Sequence, residues 1–207
     1  RYLEAAGAAP GTLVTPAIHL GPERLKTAER AIPPSEPPRS LLALAPFSAW
    51  RNKQWPAEYF ANVGEHFISR GWRVVILGGP AEASEAARLR RRLGEHCVNL
   101  AGEASVAESA GALAHSDLVL ANDTGLVHLA RALGRKAGVV YGATTRQFGF
   151  FPFGTPPYRV FETPLPCRPC HAHGGNLCVR GTRPCLRRIT PQAVIGGLEE
   201  LHRTPKG

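Results

Sequence analysis

The 207-residue chain is 43% hydrophobic and carries 25 basic against 16 acidic side chains, a formal charge of +9. This composition supports one packed domain plus an extension, and no apolar run approaches the roughly 18–20 residues needed to cross a membrane as a helix. The basic excess is mainly arginine, with lysine only at 26, 53, 136 and 206; its field suits nucleotides, nucleic acid or an anionic membrane surface and does not choose among them.

No secretory pattern opens the chain. Methionine is absent even at position 1, and Arg1-Tyr2-Leu3-Glu4-Ala5-Ala6 reads like the middle of a helix. The expectation is a fragment or a processed product. Residues 1–40 read as the end of a preceding domain and a linker: a short helix over Gly21–Ala31, then Ile32-Pro33-Pro34-Ser35-Glu36-Pro37-Pro38, which no helix or strand interior tolerates. From residue 41 strands and helices alternate. Leu41–Ala45 is a buried strand. Pro56–Ser69 is a helix with Tyr59, Phe60, Val63 and Phe67 at helical spacing, closed by Gly71. Trp72–Leu77 is a strand stopped by Gly78-Gly79-Pro80, and Glu82–Leu93 is a helix. Cys97–Leu100 is a short strand. Ser105–Ala114 is a helix whose Ser105 and Glu108 have capping-box spacing. Leu118–Ala121 is a strand, Thr124–Leu133 a helix ended by Gly134, and Ala137–Tyr141 a strand. Beyond Gly142 the pattern dissolves, with Phe148, Phe150, Phe151 and Phe153 among Gly and Pro. Arg159–Phe161 is a last strand, a cysteine-rich loop spans 164–188, and Thr190-Pro191 opens a final helix over 190–203.

Near-continuous apolar strands alternating with helices specify an α/β, Rossmann-like parallel sheet covered on both faces. Ligands of such sheets bind at the carboxyl ends of the strands. The segment Leu118-Val119-Leu120-Ala121-Asn122-Asp123-Thr124-Gly125-Leu126-Val127-His128 ends a strand and begins a helix. The first N–H groups of a helix lack internal partners and carry the positive end of its dipole, so a phosphate docks there. Gly125 permits close approach, Thr124 can donate its hydroxyl, Asp123 can accept from sugar hydroxyls, and His128 lies one turn on. The plainer alternative is that Asp123 or Thr124 caps the helix and His128 lies on its solvated side.

The string Asn122-Asp123-Thr124-Gly125-Leu126-Val127-His128 resembles the Asp-Thr-Gly-x-x-His motif of the ADP-heptose:lipopolysaccharide heptosyltransferase-type glycosyltransferases. Three further segments match in order. Ala45-Pro46-Phe47-Ser48-Ala49 with Lys53-Gln54-Trp55-Pro56 resembles that family's phosphate-side loop. Val74–Pro80 with Glu82 resembles the next unit, and Cys167–Leu186 with the Thr190-Pro191 helix resembles the carboxyl end. The likeness covers roughly residues 40–203. It implies the C-terminal, donor-binding half, residues 41–207, of a GT-B two-domain enzyme. That enzyme would transfer heptose or a related sugar, with inversion, from an ADP-activated donor to a lipopolysaccharide core or similar glycan. Lys53 would neutralise the leaving diphosphate, Asp123 would help position the donor, and Ser48, Glu82, Thr124, Gly125 and His128 would bind it. Ala49 departs from the family, which often carries a hydroxyl residue there. Glu85 competes with Glu82, and Thr144 and Thr145 are further cleft candidates or ordinary turn residues.

No cofactor is required in such chemistry, and the general base and the glycolipid acceptor would belong to the amino-terminal domain. Cys167, Cys170, Cys178 and Cys185 have the spacing C-x2-C-x7-C-x6-C; structural zinc, reduced thiols in a packed loop, and disulfides all remain open. Arg88, Arg90, Arg91 and Arg92 are a solvated helix face or a contact to anionic lipid at the inner face of the plasma membrane. A cytoplasmic location is expected. Two alternatives stand beside the enzyme: a non-catalytic nucleotide-sugar-binding module, and a zinc-containing basic nucleic-acid binder. No recognised nucleic-acid motif supports the second, and no nucleic-acid partner is expected.

Overall fold

The structure is a computed structural model that describes residues 16–32, 34–145 and 157–205. The opening hexapeptide and the phenylalanine-rich stretch at 148–153 lie outside the described residues. The elements in chain order are α1 (Pro22–Ala31), β1 (Leu41–Ala45), α2 (Ala57–Ser69), β2 (Arg73–Ile76), α3 (Ala83–Leu93), β3 (Cys97–Asn99), α4 (Val106–His115), β4 (Leu118–Asn122), α5 (Gly125–Ala132), β5 (Lys136–Val140), β6 (Tyr158–Phe161), α6 (Pro184–Arg187) and α7 (Pro191–Arg203).

All strand pairings are parallel, and the sheet order is β3-β2-β1-β4-β5-β6. This is the doubly wound order, with its switch point between β1 and β4. Strand side chains alternate between faces, so each central strand feeds two cores. Leu42, Leu44, Val74, Ile76, Leu118 and Leu120 pack with residues of α2, α3 and α7. Leu41, Ala43, Ala45, Val75, Val119 and Ala121 pack on the other face with residues of α4 and α5.

The segment preceding residue 40 is not detached from this layer. α1 packs against α4, Ile32 is buried in the second core, and the Ile18 N–H donates to the Ala132 carbonyl at 2.8 Å. Ile32 is apolar, and burial on this face is its available shelter.

Local signals act where the sequence placed them. The Ser105 hydroxyl accepts the Glu108 N–H at 3.2 Å, and the Glu108 carboxylate accepts the Ser105 N–H at 2.7 Å. Thr190 Oγ1 accepts the Ala193 N–H at 3.3 Å to start α7. Gly71, at φ +84, turns the chain out of α2 as a side chain rarely could. At the far end of α7, buried Lys136 donates Nζ to the carbonyls of His202 and Thr204 and so caps the last turn.

The segment 164–188 was read as a cysteine-rich loop, and its end forms α6. Cys185 and Leu186 are buried there in the first core. All five cysteines are free thiols in this structure. Among the described residues no group of three His, Cys, Asp or Glu is arranged to hold a metal ion. Burial pushes the Cys97 thiol up to about 12, which makes it an inert core residue.

Gly142 marks the tightest join between loop and sheet. A Cβ there would collide with the Asn52 carbonyl and lie 2.9 Å from Leu186 Cδ2. Gly142→Ala is expected to lower unfolding free energy by about 1–3 kcal/mol, measured by chemical denaturation. Gly196→Ala, whose Cβ would meet nothing within 4 Å on α7, should instead be neutral or stabilising by about 0.5–1 kcal/mol.

Candidate functional site

A cleft of about 620 Å³ opens at the switch point. Its floor is built where β1 and β4 end side by side and their chains turn away in opposite directions. Asn122 holds those ends together. Its side chain is fully buried; Oδ1 accepts the Trp55 N–H at 3.0 Å and Nδ2 donates to the Pro46 carbonyl at 2.7 Å. Trp55, also buried, donates its indole N–H to the Ile189 carbonyl at 3.0 Å and so ties the turn to the start of α7.

This stitching brings Lys53 over β4. Lys53 Nζ lies 2.7 Å from Asp123 Oδ2, and the two side chains are only 11% and 3% exposed. Thr144 Oγ1 donates to the same carboxylate oxygen at 2.8 Å. The Thr144 backbone is in turn held by Arg168, whose guanidinium donates to the carbonyls of Gly142, Thr163 and Thr144 and to Glu162. Lys53 has three N–H donors, and Asp123 accepts from one of them.

At the α5 start Thr124 is the N-cap in extended conformation, and no side chain caps the helix. Its hydroxyl is buried and has no hydrogen-bond partner. Gly125 lines the cleft, is not at positive φ, and a Cβ on it would meet nothing within 4 Å. Neither the backbone nor the packing of this chain asks for glycine there; what it preserves is open space at the mouth of a helix. The capping alternative therefore fails for both Asp123 and Thr124: Asp123 is committed to Lys53 and Thr144 instead.

Ser48, Lys53, Glu82, Asp123, Thr124 and Gly125 all line this one cleft. Ser48 Oγ accepts the Trp50 N–H at 3.4 Å. Glu82 accepts the Gly79 N–H at 2.5 Å and has further acceptor capacity. Glu85 lines a different recess. Thr144 stands behind the cleft as the partner of Asp123, and Thr145 lines a separate depression beside Arg168. His128 is half-buried one turn along α5 and does not line the cleft. The apolar walls, Phe47, Trp50, Leu77, Val106, Leu126 and Leu129, were not anticipated, since isolated apolar residues look alike in sequence. Asn122 carried a signal: it is the one polar residue at the end of an otherwise apolar strand.

The profile of glycosyltransferase family 9 (heptosyltransferase) matches residues 10–175. The chain belongs to this family. The lipooligosaccharide heptosyltransferase 2 of Haemophilus influenzae is 33% identical over 159 residues, which cover 72% of this chain and 43% of the relative. The chain spans about half the length of the curated relatives it matches. Its fold is that of the E. coli ADP-heptose lipopolysaccharide heptosyltransferase II (TM-score 0.73, 24% identity, 94% of this chain and 55% of that one). The family 9 enzyme of Veillonella parvula is also similar (TM-score 0.78, 21% identity, 97% and 57%). Among the described residues no helix is long and apolar enough to cross a membrane.

Burial pushes the His128 imidazole below its ordinary 6.5; nearby Asp123 opposes the shift and Lys53 adds to it. The folded protein therefore binds fewer protons than the unfolded chain between the lowered and the ordinary value. Stability from this group is complete above about pH 6.5 and is lost as pH falls toward the folded value. The melting-temperature difference between wild type and His128→Gln should shift against the wild type between about pH 7.5 and about pH 5.5; a difference independent of pH would contradict the burial of a neutral imidazole.

Proposed function

We propose that this chain is the donor-binding half of a two-domain glycosyltransferase. The enzyme moves heptose, or a related sugar, from an ADP-activated donor to a lipopolysaccharide-core or similar glycan acceptor. The observation that carries this is the meeting of Lys53 with the uncapped start of α5 in one cleft. A diphosphate laid there receives the free amides and the hydroxyl of Thr124 at one end and the Lys53 ammonium at the other, which stabilises charge as the nucleotide leaves. Asp123 orients Lys53. Ser48 donates to phosphate and Glu82 accepts from ribose hydroxyls. His128, neutral beside the pair, supports the wall of the site. The name of the E. coli structure, an ADP-heptose heptosyltransferase, supports the choice of donor.

Because the chain spans about half of its relatives, we assign the general base and the acceptor site to the other half. Residues 1–40 lead from that half and 41–207 bind the donor. Transfer proceeds with inversion and without a metal ion: the acceptor oxygen displaces the diphosphate at the anomeric carbon, and the base takes its proton. The protein works in the cytoplasm at the inner face of the plasma membrane. Arg88, Arg90 and Arg91 are the basic face available to anionic lipid, whereas Arg92 is engaged by Glu65 at 2.7 Å and by Asn62.

The isolated chain should bind ADP in calorimetry and turn over negligibly; no binding at millimolar ADP by demonstrably folded protein would overturn the proposal. Lys53→Ala should weaken ADP by about ten-fold or more while adenosine changes little. The single variant also strands the Asp123 carboxylate, so its melting temperature should fall. Lys53→Ala with Asp123→Asn restores stability without restoring ADP affinity. Equal losses for ADP and adenosine would remove Lys53 from the diphosphate.

A further inference from the structure

A second recess, of about 370 Å³, adjoins the donor cleft, and Phe47 lines both. Arg51, Arg183 and Arg187 converge in it, with Glu58 and Glu85 also on its wall. Its arginines come from two segments up to 136 positions apart, the turn that carries Lys53 and α6 with its cap, while α2 and α3 complete the wall. The two segments are fastened to each other, since Arg183 Nη1 donates to the Arg51 carbonyl at 2.9 Å.

Arg92, Arg159, Arg168 and Arg203 each meet a glutamate. None of the three guanidiniums in the recess is paired with a carboxylate among the described residues. Three guanidiniums against two carboxylates leave the recess positive. Arg183 also holds φ 51, ψ 55, the left-handed region, and is the one non-glycine residue to do so among the described residues. That conformation costs about 1–2 kcal/mol and is retained where a side chain must be aimed.

We propose that Arg51, Arg183 and Arg187 form a second oxyanion subsite on this half, taking a phosphate or carboxylate group that projects across from an acceptor whose sugar-receiving hydroxyl is held by the other half. The donor's own diphosphate is already met by Lys53 and the α5 start, so an additional anion beside Phe47 belongs to another molecule. Only this last step, the identity of the bearer, rests on the donor-cleft reading; the subsite itself does not.

The test is a titration of the ADP-saturated chain with potassium phosphate, and separately with potassium acetate, at ionic strength matched by potassium chloride. The arginine Nε–H signals are followed by nuclear magnetic resonance. Saturable shifts at Arg51, Arg183 and Arg187 are expected. Arg51→Gln with Arg187→Gln, both exposed side chains, should weaken the phosphate response by about five-fold or more and leave ADP affinity unchanged. Saturation by phosphate alone assigns a phosphorylated ligand, and saturation by acetate assigns a carboxylate. Shifts that merely track chloride, or an undiminished response in the double variant, overturn the subsite. ADP failing to bind while phosphate still saturates these signals would overturn the donor reading and leave the subsite standing.

Discussion

The site depends on a single buried amide. Parallel strands β1 and β4 end together and their chains diverge, which leaves backbone groups at the gap with no strand to pair them. Asn122 satisfies one from each side, the Pro46 carbonyl and the Trp55 N–H. Leaving either unpaired in a dry interior costs about 1–3 kcal/mol. The gap is therefore held at a fixed width, and the turn bearing Lys53 is fixed with it. The cleft is a consequence of how a doubly wound sheet must end, made rigid by one side chain.

From that anchor a polar chain runs outward. Arg168 holds the Thr144 backbone, Thr144 holds Asp123, and Asp123 holds Lys53. Each member is constrained by a neighbour on a different segment, so the ammonium is placed before any ligand arrives. A buried ion pair of this kind adds little net stability, but breaking one side of it costs about 3–5 kcal/mol. Its value lies in preorganisation: a charge fixed in advance needs no rearrangement to meet an anion such as the diphosphate we propose. The same polar chain explains why the cysteine-rich region matters. It carries Arg168 to the carbonyls after β5, and through α6 it buries Cys185 and Leu186 in the core.

Much of this was legible in the sequence because it is local. The apolar runs at Leu41–Ala45 and Leu118–Ala121, the Ser105/Glu108 cap and the Thr190-Pro191 start express preferences decided within a few residues. The helix beginning at Gly125 was legible for the same reason. Charge partners were not. Lys53 and Asp123 are 70 positions apart, and nothing in either neighbourhood states that they meet. Thr144 was a cleft candidate by its place after a strand, yet the fold turns it to Asp123; Glu82 ends the turn before α3 with its carboxylate folded back on the Gly79 N–H, whereas Glu85 lies inside α3 and lines the other recess.

The sequence by itself determined the alternating α/β pattern, the parallel sheet and the strand-to-helix turn at Asp123-Thr124-Gly125, since periodicity and capping are properties of short stretches. Only the tertiary structure decided which of the marked residues share a cleft, that α1 and Ile32 pack on this domain, and that three arginines gather beside Phe47. Those outcomes depend on strand order, and strand order is fixed by the packing of both faces of the sheet at once, which no short stretch of chain encodes.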